Sequence, residues 1–356
     1  MGTVTTPLLD VTDIYLEPGV RLLPRGLEII DRFRGAQIHE VASHWNIPDL
    51  HGNEGSVAHW NQIKRNVLVL GIKKAIATRP NSRSSHFVAP SLANGCTMSC
   101  IYCYVPRRKG YANPITVFVN IEQILRHIER HAGRQGMKFD ADQIDDHLWV
   151  YDIGENSDCS VDAMISANVR DTIELFKKLP NAKASFATKF VNDELLEYDP
   201  QGKARMRFSL MPENISRILD VRTSPISERI QAINRFVSAG WEVHINFSPV
   251  VYYENWLQDY DRLFEEINDT LGPEAKEQLK SEVIFLTHND KLHEVNLQWH
   301  PKGESLIWQP DLQETKYSQT GGRNLRYKRG LKATLVRDFQ ELLLERLPYC
   351  KIRYIF

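Results

Sequence analysis

Beyond about residue 120, apolar and polar positions fall into two rhythms that take turns. NIEQILRHIER (120–130) sets apolar residues at helical spacing behind Asn120, a residue suited to capping, and LWVYDIG (148–154) is the short apolar run of a buried strand. The alternation then predicts a helix over 161–179, strands over 184–188 and 205–210, and a helix over 227–239 stopped by Gly240. EVHINFSPV from Glu242 reads as a strand, 256–267 as a helix and EVIFLT from Glu282 as a strand. Strands separated by helices predict parallel β/α units, which carry an active site at their C-terminal strand ends. Residues 291–322 read as irregular and aromatic-rich, and the chain closes with a helix near 335–346 and the strand KIRYIF. Before about residue 82, short apolar runs mix with polar loops and one strand, VLVLGIKK (67–74), with Trp45 and Trp60 as packing residues. The polar link RPNSRSSHFV divides an N-terminal extension, 1–82, from the main α/β unit, 83–356.

A chain of 356 residues can bury a core without disulfide support. Its 44 basic and 45 acidic residues leave a net charge near zero, which excludes a global field for a polyanion and confines any such contact to a local patch. Of five cysteines, three fall within 96–103 while Cys159 and Cys350 stand far apart, a usage that fits a reducing, cytoplasmic setting. MGTVTTPLLD has no basic region followed by an apolar core, which argues against a secretory leader, and its match to a lipidation pattern is loose. No apolar run approaches membrane-spanning length, so no membrane partner is expected.

The chemistry concentrates in SLANGCTMSCIYCYVPRRKG (91–110), where Cys96, Cys100 and Cys103 form a C-x3-C-x2-C run. Thiolates suit iron-sulfur clusters and zinc. A structural zinc site wants four closed ligands and would need His86 or a distant residue as the fourth. A four-iron cluster held by three thiolates keeps one iron open to an amine and a carboxylate, the arrangement in which S-adenosylmethionine is cleaved reductively to a 5'-deoxyadenosyl radical. With Tyr102 just before the last cysteine, the spacing resembles the radical S-adenosylmethionine superfamily. A zinc knuckle and three unrelated buried thiols remain the alternatives.

Other candidates lie at strand ends. DIGE (152–155) could offer Asp152 or Glu155 to the ammonium of bound S-adenosylmethionine, Lys189 could pair with the methionine carboxylate, and Ser209 could bond a ribose hydroxyl. Each is also what a solvated strand end or a satisfied backbone would carry. KYSQTGGRNLRYKRGLK (316–332) interleaves Lys316, Arg323, Arg326, Lys328, Arg329 and Lys332 with Tyr317 and Tyr327 around Gly321-Gly322. Such a stretch suits phosphate contact and base stacking, and Arg107, Arg108 and Lys109 could extend it.

The blocks HFVAPSLANGCTMSCIYCYV, ATKF, RFSLMPENI, TSPISERIQAI and SPVVYYENWLQDYDRLF, in this order and spacing, resemble the spore photoproduct lyase family of radical S-adenosylmethionine enzymes. LRYKRG, then a helix and LPYCKIRYIF, continue the likeness, and YLEPGVRLLPRGLEII echoes it faintly. Coverage is good over about 82–260 and 322–356 and weak elsewhere. The resemblance implies a partial (β/α)6 TIM-type barrel with an N-terminal extension and a C-terminal helix and strand. It makes Cys96, Cys100 and Cys103 ligands of a [4Fe-4S] cluster, sets Tyr102 and Tyr104 beside S-adenosylmethionine, and puts Lys189 on its carboxylate and Ser209 on another polar group. It further implies an electron donor such as flavodoxin or ferredoxin, and a carbon–carbon lyase that reverses a thymine dimer lesion in DNA. In that reaction the adenosyl radical abstracts hydrogen, the dimer bond breaks and a protein cysteine returns a hydrogen. Arg326, Tyr327, Lys328 and Arg329 are the candidate substrate contacts.

One departure bears on the reaction. The family's donor cysteine sits in a stretch of the form E-A-A-C-T-S-D, and the ungapped match DIGENSD (152–158) puts Glu155 in its place. A carboxylate cannot donate a hydrogen atom to a carbon radical. Cys159, four residues on, could serve as the catalytic donor if its loop folds back; otherwise it is a small apolar residue opening a helix. Repair of a thymine lesion therefore stands beside the same radical chemistry on a non-DNA substrate, with a zinc-stabilised nucleic-acid-binding module as the third reading.

Overall fold

Each strand and helix goes where its apolar face can be buried in the structure, a computed structural model that describes residues 7–45, 47–48, 50, 56–105, 110, 112–317 and 323–356. The N-terminal part contributes β1 (Asp13–Leu16), α1 (Pro24–Arg32), β2 (Gln37–Glu40), α2 (Val57–Asn66) and β3 (Val67–Gly71), then β4 (Arg79–Pro80), β5 (Phe87–Val88), β6 (Ala93–Asn94) and β7 (Ile115–Phe118). The chain then alternates through α3 (Ile121–Gln135), β8 (Trp149–Asp152), α4 (Cys159–Ile165), α5 (Asn168–Lys178), β9 (Ala182–Thr188), β10 (Ala204–Leu210) and α6 (Glu213–Leu219). It continues with α7 (Ile226–Ser238), β11 (Glu242–Val250), α8 (Trp256–Thr270), α9 (Pro273–Gln278) and β12 (Lys280–Phe285). The last stretch holds β13 (Thr287–His288), α10 (Asp290–Trp299), α11 (Pro301–Ile307), β14 (Gln313–Tyr317), β15 (Arg323–Tyr327), α12 (Arg329–Arg346) and β16 (Lys351–Ile355).

The larger sheet runs β16-β12-β11-β10-β9-β8-β5-β4, parallel from β5 to β16 with β4 antiparallel at its edge. Strand β10 shows how it is used. Met206 and Phe208 face the helices, Phe208 meeting Phe236 edge-on at 5.1 Å, while Arg205 and Arg207 point inward. Inside, Arg207 pairs with Asp152 (2.5 Å) and Glu282 (3.4 Å), and Arg205 with Asp145 (3.0 Å) and Glu242 (2.8 Å). A buried charge is tolerated only when paired, and these four ion pairs follow that rule. Arg353 of β16 donates to Ser84 O (2.6 Å), so the sheet curls until its two margins touch. This is the expected partial barrel, with β16 as the added C-terminal strand.

The smaller sheet, β2-β1-β3-β7-β6, takes three strands from the expected extension, 1–82, and two from residues beyond it. Extension and barrel therefore share one sheet. No helix among the described residues is long and apolar enough to cross a membrane.

Four local expectations need correction. The single helix over 161–179 is two, because Ser166 is extended (φ −153°) and Asn168 donates its amide to Phe118 O (3.2 Å). Residues 291–322 are not irregular: Pro301 starts α11 immediately after α10 and hides two helices from a periodicity reading, and β14 pairs with β15. Trp45 is 58% exposed, whereas Trp60 packs against Trp299 with ring centroids 4.6 Å apart. Asn120 precedes α3 without capping it, its side chain bonding Lys73 N (2.8 Å) and Lys73 O (3.0 Å) instead. Residues 1–6, Arg107, Arg108, Lys109 and Gly321-Gly322 lie outside the described residues.

Candidate active site

The cysteine loop leaves β6 at Gly95, whose φ of +102° and packing require glycine: a Cβ there would lie 2.8 Å from Pro114 O. The loop is then pinned from several sides. Ser99 N donates to Val221 O (3.0 Å), Ile101 N to Leu219 O (3.1 Å), and Thr97 Oγ1 to Leu8 O (2.8 Å). Ser99 Oγ bonds Asn61 of α2, and Asn296 of α10 donates to Ile101 O (2.8 Å). A loop held at alternate residues presents its remaining side chains, among them Cys96, Cys100 and Cys103, in fixed directions.

None of the three thiols is in a disulfide, all are half-buried, and they share one electrostatic neighbourhood. Cys96 and Cys100 each feel the charge of Cys103, and all three act on Lys64. Burial pushes both the Cys96 and the Cys100 thiol up, with Asp158 and Asp220 respectively adding to the effect. Left to protein alone these thiols stay protonated; a cationic inorganic centre is what would offset that balance. Single zinc is a poor match. Among the described residues, the group of three His, Cys, Asp or Glu donors drawn within 4.8 Å of one another is His288, His293 and Glu304, not the cysteines. Thiolates on one zinc ion, with bonds of ~2.3 Å, would stand only about 3.8 Å apart. Nor can His86 complete such a site, since its Nδ1 accepts from Val150 N (2.9 Å) and its Nε2 faces Asp142 (2.9 Å).

Beside the loop lies a hub that sequence reasoning missed, Asp220. Its fully buried carboxylate takes the phenol of Tyr102, Arg229 Nη1 (3.1 Å) and Lys189 Nζ (3.4 Å). Burial alone would raise its pKa; Lys189 and Arg229, with Tyr102's hydrogen bond, outweigh that and hold it below the usual carboxylate range. Lys189 is placed by its backbone, N donating to Asp158 Oδ2 (3.0 Å) and O accepting from Ser224 N (3.1 Å). Its ammonium also donates to Ser248 O (3.1 Å) and lies 5.3 Å from the centre of the Tyr102 ring. Ser209 ends β10 facing inward, in register with Asn246 of β11, and its carbonyl accepts from Arg229 (2.8 Å). Asn246 Oδ1 is buried without a hydrogen-bond partner, an acceptor that a polar ligand could use.

The other candidates divide. Tyr104 is 50% exposed and donates to Glu155 O (2.7 Å), and the Glu155 carboxylate pairs with Arg79. Asp152 is committed to Arg207. Cys159 opens α4 with its Sγ 3.8 Å from Met206 Sδ, on the helix-facing side of the sheet opposite Arg205 and Arg207. This corrects the expectation that its loop folds it back toward the site. Tyr327 is corrected likewise: it is 1% exposed and its hydroxyl accepts from Tyr252 N (2.8 Å), so its ring cannot stack on a base. Arg326 pairs with Glu314 (2.9 Å), Lys328 donates to Asp311 O (2.7 Å), and Arg329 is exposed at the start of α12.

Lys64 is the other residue missed. It is 5% exposed, donates to Met98 O (3.4 Å) between two of the cysteines, and has no carboxylate partner among the described residues. The signal was present: Trp60, Ile63 and Lys64 fall at i, i+3 and i+4, which puts the lysine on the buried face of α2.

With this geometry in place, comparison with known proteins is informative. The family model described as Spore photoproduct lyase matches residues 10–356. The chain is 27% identical to the spore photoproduct lyase of Bacillus subtilis (strain 168) over 274 residues, covering 76% of this chain and 77% of the relative. It is 26% identical to that of Geobacillus sp. (strain Y412MC61) over 313 residues, 87% of each. Among solved structures, a spore photoproduct lyase complexed with dinucleoside spore photoproduct superposes with a TM-score of 0.88 at 22% identity, covering 98% of this chain and 100% of that one. A mutant of that enzyme with bound AdoMet and dinucleoside spore photoproduct gives 0.87 at the same identity and coverage.

Proposed function

Because the chain belongs to the spore photoproduct lyase family, a family of radical S-adenosylmethionine enzymes, we propose that it acts on a thymine lesion of the spore photoproduct class in DNA. The observation that carries this reading is a pinned three-cysteine loop facing Lys189 and Asp220 at the C-terminal ends of a parallel half-barrel. Cys96, Cys100 and Cys103 would hold the [4Fe-4S] cluster; three thiols on one pinned loop are a donor set that suits it. When bound, the cluster and S-adenosylmethionine supply a reductively generated 5'-deoxyadenosyl radical.

The remaining residues bind and orient. Lys189 has three N–H donors, two of them used by Asp220 and Ser248 O, which leaves one for the methionine carboxylate. Ser209 and Asn246 offer polar atoms in register on neighbouring strands. Asp220 acts through Lys189 and Tyr102, fixing both in direction. The ungapped match sets Glu155, ion-paired to Arg79, where the family carries its donor thiol, and on that match hydrogen return would fall to another X–H group. The phenol of Tyr104, which donates to Glu155 O, is the X–H group beside that position; the tyrosyl radical left when it gives up its hydrogen would be quenched by one electron from the low-potential carrier and one proton from solvent.

A low-potential electron carrier of the flavodoxin or ferredoxin type completes the reading, approaching through the cleft lined by Leu8, Asn61, Arg65 and Arg222 behind the loop. Five cysteines, none of them in a disulfide, support the reducing cytoplasm as its compartment. The test is anaerobic reconstitution followed by incubation with dinucleoside spore photoproduct, S-adenosylmethionine and dithionite, with products resolved by mass spectrometry. Release of the undimerised dinucleotide is expected. Formation of 5'-deoxyadenosine with the lesion untouched would move the chain to a non-DNA substrate.

A further inference from the structure

The elements β13, α10 and α11 bring together a second convergence of metal-ligand chemistry, and none of its three donors serves the radical site. His288 Nε2 and His293 Nδ1 lie 2.8 Å and 2.5 Å from one and the same oxygen, Glu304 Oε1. All three donor atoms fall within 4.8 Å of one another. The side chains of His288 and Glu304 are 0% and 2% exposed, while His293 keeps an edge toward solvent at 20%. Trp308 stacks flat on the His293 ring, 3.7 Å between centroids, and fixes its plane.

The charge balance calls for a cation. A carboxylate this deeply buried is stable only when paired, and no lysine or arginine reaches Glu304 among the described residues. With both imidazoles neutral the cluster carries one uncompensated negative charge. A proton on one ring would neutralise it, and so would a divalent ion on the three converging lone pairs. Two imidazole nitrogens and one carboxylate oxygen form a donor set suited to zinc and its first-row neighbours. The surroundings resemble those of a metal site as well. Asn296 Nδ2 holds the far oxygen, Glu304 Oε2, at 2.8 Å, as outer partners of a ligating carboxylate do. Asn296 is itself fully buried, and its Oδ1 has no donor, an acceptor left open beside the cluster.

We propose that His288, His293 and Glu304 form a second metal site, for a divalent first-row ion such as zinc, that clamps β13, α10 and α11 together. The clamp reaches the cysteine loop. The Asn296 amide that holds Glu304 also donates to Ile101 O (2.8 Å), and α11 packs so closely that a Cβ on Gly303 would lie 2.5 Å from Ile101 Cδ1. The existence of the site is independent of the radical chemistry; only its loop-bracing role rests on that reading.

The experiment keeps the two apart by removing the thiols. Full-length Cys96→Ala/Cys100→Ala/Cys103→Ala protein, stripped with chelator, is titrated with cobalt(II) and then competed with zinc(II). One equivalent of cobalt with visible d–d bands, displaced by zinc, is expected. Those bands should vanish in His293→Ala, and affinity should fall about 10- to 100-fold in Asn296→Ala. His293 is partly exposed, so its variant is the one that keeps the fold; far-UV circular dichroism checks this. Cobalt uptake equal in the parent and in folded His293→Ala, or no uptake by either, would reduce the cluster to a hydrogen-bonded network and overturn the proposal.

Discussion

Lys189 Nζ lies 3.4 Å from Asp220 Oδ2, and the same carboxylate receives Tyr102 and Arg229, so one buried anion sets the direction of two candidate cofactor contacts. Asp220→Ala leaves Arg229 and Lys189 without it. Removing one partner of a buried ionic group destabilises by about 3–5 kcal/mol, readable by urea denaturation. At temperatures where the variant remains folded, S-adenosylmethionine should also bind at least about tenfold more weakly by equilibrium dialysis. Asp220→Asn keeps the shape and one acceptor but not the charge, and should recover part of the stability but not the affinity. Unchanged affinity in the Asn variant would mean that Asp220 is structural only.

Lys64 should set the cluster's readiness to accept an electron. A buried ammonium beside the cysteines favours the more negative, reduced state. At an effective dielectric near 20 its loss is worth roughly 1–2 kcal/mol, or about 40–90 mV for one electron. Lys64→Met, which keeps the apolar stem, is expected to shift the midpoint potential downward by that amount in an anaerobic redox titration followed by electron paramagnetic resonance. An unchanged potential would place the lysine outside the cluster's field.

Cys159→Ala should leave the product distribution untouched, because the thiol packs against Met206 on the helix side of the sheet. A stability loss of about 1 kcal/mol is all that is expected. Tyr104→Phe should behave in the opposite way, with normal stability but accumulation of products trapped before hydrogen return. Mass spectrometry of a single-turnover reaction distinguishes the two variants directly.

Stability should fall as pH rises from about 4 to about 8, through Asp162. Burial pushes its carboxyl up to about 8; Ser157 donates to one oxygen (2.6 Å) and the other has no partner. In this window the folded state holds a proton that the unfolded chain has released, so each added pH unit removes up to about 1.4 kcal/mol. That contribution is complete below the unfolded value of 3.8 and gone once pH exceeds the folded one. Asp162→Asn copies the protonated form. It should match the parent only below about pH 4 and exceed it by a growing margin up to pH 8 in parallel urea titrations.

Much of this was legible beforehand. Strand β11 coincides with the apolar run EVHINFSPV, because a parallel strand buried on both faces leaves an almost uninterrupted apolar signature. Cys96, Cys100 and Cys103 announce themselves by spacing alone. Asp220 does not, since its role comes from Tyr102, Lys189 and Arg229 converging from three separate segments. Tyr327 misled for a related reason: a tyrosine among arginines looks exposed until β15 turns it inward. The Arg205–Glu242 and Arg207–Asp152 pairs were likewise hidden, because inward-facing charges interrupt the pattern that marks a strand.

The way β6 and β7 join β1, β2 and β3 has a practical meaning for anyone dissecting this enzyme. Excising the first eighty residues would not release a minimal barrel. It would delete three of the five strands beside which the cysteine loop starts, and with them Lys64, Asn61 and the Leu8 carbonyl that hold the loop from behind. Nothing shorter than the nearly intact polypeptide can be expected to keep its cysteines in order.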